Sequence, residues 1–494
     1  MNFRLLAKIL GTLLFLQAVA MLFCLAFTYL DHGEAARSAG LALGISAGIT
    51  GTAGVILWLQ GPGKIKKIPR REGITIVGLG WILSGLFGAV PYMLCEPRLA
   101  PAAAIFESVS GFTTTGSTAM EDIEAWPRGL LMWRSVTQWM GGLGILVLFV
   151  AVLSAMGVGG KNLFRNESTV ATGDATARVR DTALVVLRLY LTFTTVCLLG
   201  LKCLGLTWFN ATCHAFTTVS TGGFSPHNAS VGYYSNWDNI LLIELWLSLF
   251  MIVGSINFLF WAALARRKWA RVKSEEEGLG FVAFCVIASI VLMFDLLVTN
   301  EMDSAMTAWR EGFFNFVSII STTGFGTTNY DEWPALSLLI LGIAMFIGGC
   351  GGSTSGGYKF MRLLVLFKVA RYSVVRAFRP NQVFRMRLNK QSLSQGFRDD
   401  VMTFLCTYFF IFFGATVVVA GLETSSGINF DTSIGAVLAT LFNIGPGFDG
   451  VGPTENFGWL RPSTQLFLSV LMILGRLELY AVLVLFVPAL WKKY

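Results

Sequence analysis

Four short stretches of the chain read Thr114-Thr115-Gly116-Ser117, Ser220-Thr221-Gly222-Gly223, Thr322-Thr323-Gly324-Phe325 and Asn443-Ile444-Gly445-Pro446. Each has a glycine in its third place, follows a short apolar segment and stands between long hydrophobic runs. A unit repeated four times predicts four loops that meet around one axis. Backbone carbonyl oxygens in such loops can replace the water around a bare cation. Glycine suits them because it accepts positive φ and lets the backbone line a narrow path.

The composition is that of a membrane protein. Of 494 residues, 54% are hydrophobic and 13% are charged, whereas soluble domains carry about 25% charged residues. A helix of about 20 apolar residues crosses a bilayer. The first run has no small-residue cleavage site, so we interpret it as a span and not a signal peptide. The ten candidate spans of this all-α polytopic protein are Leu5–Leu30, Leu41–Leu59, Gly73–Leu94, Pro127–Met156, Ala183–Leu206, Ile240–Leu264, Leu279–Val298, Pro334–Val369, Val401–Leu422 and Thr464–Leu490.

The charges alternate along the chain. The formal net charge is +8, with basic residues gathered at 64–71, 266–273 and 359–398 and acidic residues at 121–124, 331–332 and 423–455. This is the positive-inside pattern, and it argues against nucleic acid as the partner of the basic loops. It predicts cytoplasmic termini and places the four glycine loops on the outer side, where acidic groups attract cations.

The organisation predicted from these runs is an N-terminal helical hairpin followed by four units. Each unit has a span, a short re-entrant segment, a glycine loop and a second span. About a dozen residues are too few to cross a bilayer, and irregular backbone at membrane depth must be buried in protein or line a cavity. The short segments are Ala102–Thr113, Trp208–Val219, Thr307–Ser321 and Thr432–Phe442. We divide the chain into the hairpin at 1–70 and repeats at 71–160, 161–273, 274–397 and 398–494.

The eighth hydrophobic run is interrupted by a polar, glycine-rich stretch. No straight helix is expected there, because each glycine costs about 1 kcal/mol relative to alanine. We expect the stretch to line the cavity below the third glycine loop; the alternative is close helix packing through small residues. The stretch consists of Gly348, Gly349, Cys350, Gly351, Gly352, Ser353, Thr354, Ser355, Gly356 and Gly357, and Lys359 follows it.

The four loops, the stretch from Gly348 to Lys359 and the sequence Gly475-Arg476-Leu477-Glu478 together resemble the TrkH/KtrB/HKT superfamily of potassium and sodium transporters, and specifically its bacterial TrkH type. The resemblance covers essentially the whole chain. It implies four M1–pore helix–M2 repeats around a pseudo-fourfold pore, usually in a homodimer. It also implies a bacterial inner-membrane protein that takes up potassium together with a cytosolic nucleotide-binding ring, TrkA, which this chain does not contain.

The resemblance assigns roles to particular residues. It places the filter glycines at Gly116, Gly222, Gly324 and Gly445, and glycine at all four positions favours potassium over sodium. It implies a gate in the interrupted stretch and an electrostatic barrier at Arg476. The residues expected to offer ion ligands are Thr114, Thr115, Gly116, Ser220, Thr221, Gly222, Thr322, Thr323, Gly324, Asn443, Ile444 and Gly445. No organic cofactor is expected.

Several alternatives stay open at this stage. Arg476 either faces the pore or pairs with Glu478, although positions two apart on a helix do not face each other. Lys359 either snorkels to the inner interface or steadies the gate. Glu244 and Asp295 lie in spans, where hydrogen bonding and ion transit are equally compatible with the sequence.

Other classes of function are also compatible with a membrane protein. A sodium- or proton-coupled cation symporter of the same fold remains an alternative to potassium uptake alone. A carrier of an organic solute would instead show inverted repeats. A membrane enzyme would need clustered His, Asp and Glu residues, which the sequence lacks.

Overall fold

The computed structural model describes residues 1–62, 69–155, 175–302, 304–379, 381, 386–389 and 391–491. The described part is almost entirely helical, with one two-stranded hairpin made of Arg387–Leu388 and Gln391–Ser392. This agrees with the all-α class predicted from the hydrophobic runs.

Two long helices, α1 (Phe3–Leu25) and α2 (Gly33–Leu59), form the predicted N-terminal hairpin. Gly11 of α1 faces Gly54 of α2 so closely that a Cβ on either glycine would lie under 3.0 Å from the other backbone. Small residues permit such close contact between membrane helices. The hairpin packs on α3 (Arg70–Leu94), the first helix of the first repeat.

Four repeats follow the hairpin, as predicted. Each begins with a long helix, continues with a short helix and ends with a second helix or a pair of shorter ones. The ranges are α3, α4 (Pro101–Phe112) and α5 (Arg128–Ala155); α6 (Ala175–Cys203), α7 (Trp208–Val219), α8 (Ile240–Ser255) and α9 (Phe258–Ala265), with the one-turn helix α10 (Trp269–Val272) after them; α11 (Glu276–Val298), α12 (Ala305–Ile320), α13 (Ala335–Ile347) and α14 (Phe360–Phe378); and α15 (Gln395–Leu422), α16 (Phe430–Leu441), α17 (Pro462–Arg476) and α18 (Tyr480–Leu483).

The short helices α4, α7, α12 and α16 confirm the four predicted re-entrant segments to within two residues at each end. Pro101 begins α4 in the position that proline favours, and the Thr207 side chain caps α7 by accepting from the Asn210 amide. Most residues of these helices are buried. Each of them ends directly before a glycine loop.

The spans that end the second and fourth repeats differ from the prediction. The chain bends by 99° between α8 and α9, where Ile256 is extended and Asn257 caps the new helix. The eighth run is broken between α13 and α14, as predicted. The tenth run is not one span, because α17 ends at Arg476 and Glu478 and Leu479 both have positive φ.

Within the described residues, six single helices are long and apolar enough to span a membrane, and the bent pair α8–α9 provides a seventh. Apolar side chains on the outside of these helices are exposed, including Phe294, Phe410 and Val417, as expected of a surface in contact with lipid. The fold is therefore that of a polytopic helical membrane protein. The division at 160/161 lies outside the described residues, and the domain limits stay a prediction.

Candidate functional site

The four glycine loops share one backbone conformation. Positive φ occurs at Thr114, Thr221, Thr322 and Asn443, and again two residues later at Gly116, Gly223, Gly324 and Gly445. In each loop, the amide of the residue after the first positive-φ position donates to the carbonyl oxygen five residues earlier, in the short helix. Examples are Thr115 N to Ser110 O at 2.9 Å and Gly222 N to Thr217 O at 2.8 Å. These bonds fix how the loops correspond.

This register shifts the predicted correspondence of the second loop to the other three by one residue. Gly223, and not Gly222, is the counterpart of Gly116, Gly324 and Gly445. Gly222 corresponds to Thr115, Thr323 and Ile444 instead. The error arose because two adjacent glycines fit the pattern equally well.

The four loops close into a ring. A Cβ added to Gly116 would lie 2.3 Å from the carbonyl oxygen of Gly222, and one added to Gly223 would lie 1.8 Å from that of Thr323. A Cβ added to Gly324 would lie 2.1 Å from the Ile444 oxygen, and one added to Gly445 would lie 3.0 Å from the Thr115 oxygen. Each glycine therefore faces a carbonyl of the following repeat, and the fourth faces the first.

Side chains support this ring, and one of them, Gln138, was not predicted from the sequence. Gln138 of α5 donates from Nε2 to the Gly222 oxygen at 2.6 Å and accepts from the Phe224 amide at 3.0 Å. Ser117 donates to the Gly445 oxygen at 2.7 Å. Asn443, which replaces threonine in the fourth loop, donates to the Thr115 hydroxyl at 2.8 Å and to the Met472 oxygen at 2.9 Å.

A second set of supports lies nine residues before each of the first three ring glycines. Glu107 accepts from the Ala119 amide at 2.8 Å, the His214 ring lies 3.4 Å from the Ser225 hydroxyl, and Asn315 donates to the Thr327 hydroxyl at 2.9 Å. Ala436 occupies the position in the fourth repeat. A polar residue nine positions before a ring glycine is therefore the sequence signal that identifies these supporting side chains.

A buried ion pair joins the first two repeats beside the ring. Arg134 Nε lies 2.7 Å from Glu107 Oε1, and its Nη1 donates to the Ser225 oxygen at 3.0 Å. Its guanidinium also lies over the Phe224 ring, with 4.1 Å to the centroid. Both charged side chains are buried. The pair holds the second loop against the first short helix.

On one side of the ring an open depression leads to the surface. Gly116, Gly223, Gly324 and Gly445 all line its floor. Glu121 and Glu455 stand at its edge and are exposed. The depression therefore gives an ion in solution a route to the ring past two carboxylates.

On the other side of the ring lies the interrupting loop between α13 and α14. It contacts two glycine loops and the end of the fourth short helix: Thr354 Oγ1 lies 3.3 Å from the Thr221 hydroxyl, the Gly356 amide donates to the Thr322 hydroxyl at 2.7 Å, and the Gly357 amide donates to the Phe442 oxygen at 3.0 Å. The Thr354 amide also donates to the Gly254 oxygen at 3.1 Å. The loop thus contacts the second, third and fourth repeats next to the ring.

Charged residues surround this loop. Arg476 is buried and donates from Nη1 to the Thr354 oxygen at 2.6 Å. Its expected alternative partner, Glu478, instead forms an ion pair with Arg362 of α14. Lys359 is buried and donates to the Ser355 oxygen, so it contacts the loop.

The two other charged residues noted in the spans have protein partners. Asp295 accepts from the amide and hydroxyl of Ser337, at 3.1 and 2.6 Å. Glu244 lies 3.4 Å from Arg310. Hydrogen bonding and ion pairing inside the protein therefore account for both.

The chemistry of this arrangement suits a cation with weakly held water. The ring offers neutral carbonyl oxygens, and the C-terminal, negative ends of four short helices lead directly into it. Among the residues that the structure describes, no group of three or more His, Cys, Asp or Glu side chains could hold a metal ion.

Comparison with known proteins agrees with this description. Residues 53–493 match the family described as TrkH, cation transport protein. The chain is 34% identical over 497 residues to the Trk system potassium uptake protein TrkH of Halomonas elongata and 33% identical over 503 residues to that of Escherichia coli strain K12, with all of each chain covered. It matches the crystal structure of the potassium transporter TrkH from Vibrio parahaemolyticus with a TM-score of 0.87 and 31% identity, again over the whole of both chains.

The relatives are transporters, and the expectation that this chain is not an enzyme is confirmed. The match extends over the N-terminal hairpin and all four repeats, and the same repeats build the closed ring of carbonyl oxygens. The chain therefore belongs to the TrkH family of cation transport proteins.

Proposed function

We propose that this protein takes up potassium through the ring formed by its four glycine loops. The observation that carries the proposal is the closed cycle in which each ring glycine faces a carbonyl oxygen of the next repeat. The ligands we assign are the oxygens of Thr115, Gly222, Thr323 and Ile444. Potassium is the ion named for the relatives from Halomonas elongata and Escherichia coli. Carbonyl oxygens at fixed spacing can replace the hydration shell of such an ion.

We further propose that the loop from Gly348 to Lys359 is the gate. Its hydrogen bonds to two glycine loops and to the end of the fourth short helix support this role, because an ion leaving the ring would meet it next. Arg476 adds a positive charge beside the loop. A buried charge of the same sign raises the energy of a passing cation, and low dielectric strengthens that effect.

The proposal includes a place in the cell and two kinds of partner. We assign the protein to the bacterial inner membrane with both termini in the cytoplasm, since the basic loops at 266–273 and 359–398 follow the positive-inside rule. The same basic face suits a TrkA-like nucleotide-binding ring, or anionic lipid headgroups. We also propose a homodimer, on the resemblance to the family alone.

Ion flux through purified protein in lipid vesicles tests this function. We expect potassium flux that exceeds sodium flux, and a current that reverses at the potassium equilibrium potential if transport is passive. A shift of the reversal potential with the proton or sodium gradient would instead favour the coupled symporter. Equal flux of both ions, or none, would contradict the filter assignment.

Deleting Cys350–Gly356 tests the gate separately. The deletion should raise potassium flux, because it removes the backbone that we propose as the barrier. A folded deletion variant whose flux is unchanged or lower would show that the loop is not a barrier.

A further inference from the structure

Three consecutive glutamates stand at the start of α11, directly beside the proposed gate. Glu277 is buried, with 3% of its surface exposed. Its Oε1 accepts from the Gly351 amide at 2.6 Å. Its carboxylate also accepts from the backbone amide of Met361, in the first turn of α14. One side chain from the first helix of the repeat therefore binds both the interrupting loop and the first turn of the helix that follows it.

The neighbouring glutamates attach this same point to the two-stranded hairpin. The Glu276 amide donates to Asn389 Oδ1 at 2.8 Å, and Asn389 Nδ2 donates to Glu275 Oε1 at 3.2 Å. Asn389 is the turn residue of the hairpin and has positive φ. Lys368 of α14 forms an ion pair with Glu276 and donates to the Arg387 oxygen at 2.7 Å.

A small apolar cluster makes the hairpin part of the same unit. Leu388 of the hairpin is buried against Val365 of α14 and Val401 of α15. Movement of the hairpin would therefore be transmitted to α14 by packing, and to the start of α11 by the bonds of Asn389. Packed side chains and hydrogen bonds of this kind are the physical means by which two sites become coupled.

We propose that Glu277 is a positioning residue that keeps the loop from Gly348 to Lys359 across the ion path, and that the hairpin sets the position of Glu277. The proposal rests on the proposed gate. It identifies which contact must be broken for the loop to move, and it identifies the hairpin as the place where a cytosolic partner would act. Hydrogen bonds from backbone amides to a buried carboxylate are among the stronger ones in proteins, so the contact is suited to hold a closed state.

The chain offers a natural reporter and a matched control. Cys350 lies in the loop and is fully buried, and Cys197 is equally buried in α6, away from the gate. Glu72 is a buried glutamate followed by glycine at the start of α3, like Glu277 and Gly278 in α11. Glu72 accepts from the Asn2 amide at 3.2 Å and does not contact the loop.

The experiment measures maleimide labelling of individual cysteines by mass spectrometry, with potassium flux recorded in parallel. In Glu277→Ala, labelling of Cys350 should rise about tenfold while labelling of Cys197 stays unchanged, because one charge-assisted bond to the loop and one to the first turn of α14 are lost. Potassium flux should rise in the same variant. Glu72→Ala should change neither reading.

Two further variants keep the proposal open to refutation. Glu277→Gln retains one acceptor and should raise Cys350 labelling less than Glu277→Ala, and it replaces that variant if alanine prevents folding. Asn389→Ala should also raise Cys350 labelling. Unchanged labelling in the folded Glu277 variants would overturn the positioning role, and unchanged labelling in Asn389→Ala would overturn the role of the hairpin.

Combining Glu277→Ala with the deletion of Cys350–Gly356 separates this proposal from the gate itself. If Glu277 acts through the loop, its substitution should add nothing to the flux of the deletion variant. A further rise would mean that Glu277 acts elsewhere. If the deletion alone leaves flux unchanged while Glu277→Ala still exposes Cys350, the gate is wrong but the positioning contact stands.

Discussion

At the scale of single residues, the ring glycines differ from other glycines nearby. Gly324 has φ of +82°, and a Cβ there would lie 2.1 Å from the Ile444 oxygen. Gly326, two residues later, has no positive φ, and the nearest atom to its Cβ would be 3.8 Å away. The two positions therefore form a matched pair for substitution by alanine.

We predict that Gly324→Ala weakens discrimination of potassium from sodium and that Gly326→Ala does not. A left-handed conformation costs an L-residue about 1–2 kcal/mol, and the methyl group displaces a proposed ligand oxygen. Permeability ratios and thermal stability of both variants check this. Equal ratios in Gly324→Ala and the unsubstituted protein would remove the ring from the selectivity mechanism.

The same residues show what the sequence could and could not predict at this scale. Recurrence of a glycine after a short apolar segment was sufficient to find all four loops. It could not decide between Gly222 and Gly223, since both accept positive φ and only the bond from Gly222 N to Thr217 O fixes the register. Nor could it find Gln138, because its partner lies in another repeat and the bond depends on tertiary packing.

At the scale of elements, α17 ends where its arginine meets the interrupting loop. Nη1 of Arg476 donates to the Thr354 oxygen, while Nε and Nη2 have no hydrogen-bond partner among the groups that the structure describes. Arg461, just before the other end of the helix, is exposed and donates to the Leu422 oxygen at 3.2 Å. The helix thus presents one arginine to the proposed ion path and one to its opposite end.

We predict that Arg476→Ala raises potassium flux, since it removes both a fixed positive charge and a bond that holds the loop. Arg461→Ala, at the far end of the same helix, should leave flux unchanged. Flux in vesicles and thermal stability in detergent should be measured together. A less stable Arg476→Ala protein with no gain in flux would rule out the barrier role.

The elements themselves were predictable where length and composition decide them. The four short helices followed from apolar segments too short to span a membrane, and the break after Ile347 followed from its glycines. The bend at Ile256 and the end of α17 at Arg476 could not be predicted from the sequence, because neither place has a cluster of glycine or proline. At both places the interruption depends on tertiary contacts: the Gly254 and Ser255 oxygens accept from Thr354 and Cys350, and Arg476 binds the Thr354 oxygen.

At the scale of the whole molecule, acidic side chains of the third and fourth repeats lie close together beside the depression that leads to the ring. They are Asp331 of the third repeat and Asp449 and Glu455 of the fourth. Asp331 packs on Gly452, and the Tyr330 hydroxyl donates to the Gly447 oxygen at 2.9 Å. Burial, together with the nearby charges of Asp449 and Glu455, raises the pKa of Asp331 from its ordinary value of 3.8 to about 6. The folded protein therefore holds this proton more tightly than the unfolded chain.

The stability that Asp331 contributes is therefore lost as the pH rises from about 4 to about 6. In that window this carboxyl group binds more protons in the native state than in the unfolded state, so its contribution to the free energy of unfolding falls with increasing pH. We predict that Asp331→Asn, which keeps an acceptor for the Asp449 amide, reduces this decline. Melting temperatures of both proteins between pH 4 and pH 7 check the sign, and parallel curves would contradict it.

The entrance as a whole should gather cations through its exposed carboxylates. Glu121 and Glu455 line the depression above the ring, whereas Glu34 is exposed near the same end of the molecule but outside it. A charge about 10 Å from an ion in water changes its energy by roughly 0.4 kcal/mol, or about twofold in local concentration. The Debye length falls from about 30 Å at 0.01 M salt to about 3 Å at 1 M, so the effect should be confined to low ionic strength.

We predict that Glu121→Gln and Glu455→Gln each lower potassium influx about twofold at low ionic strength, and that Glu34→Gln does not. The difference should vanish when ionic strength is raised with an impermeant salt at constant potassium concentration. Selectivity should not change, since the ring oxygens are untouched. A loss of flux that persists at high salt would mean that these carboxylates contact the ion or support the loops directly, and would exclude long-range attraction as their role.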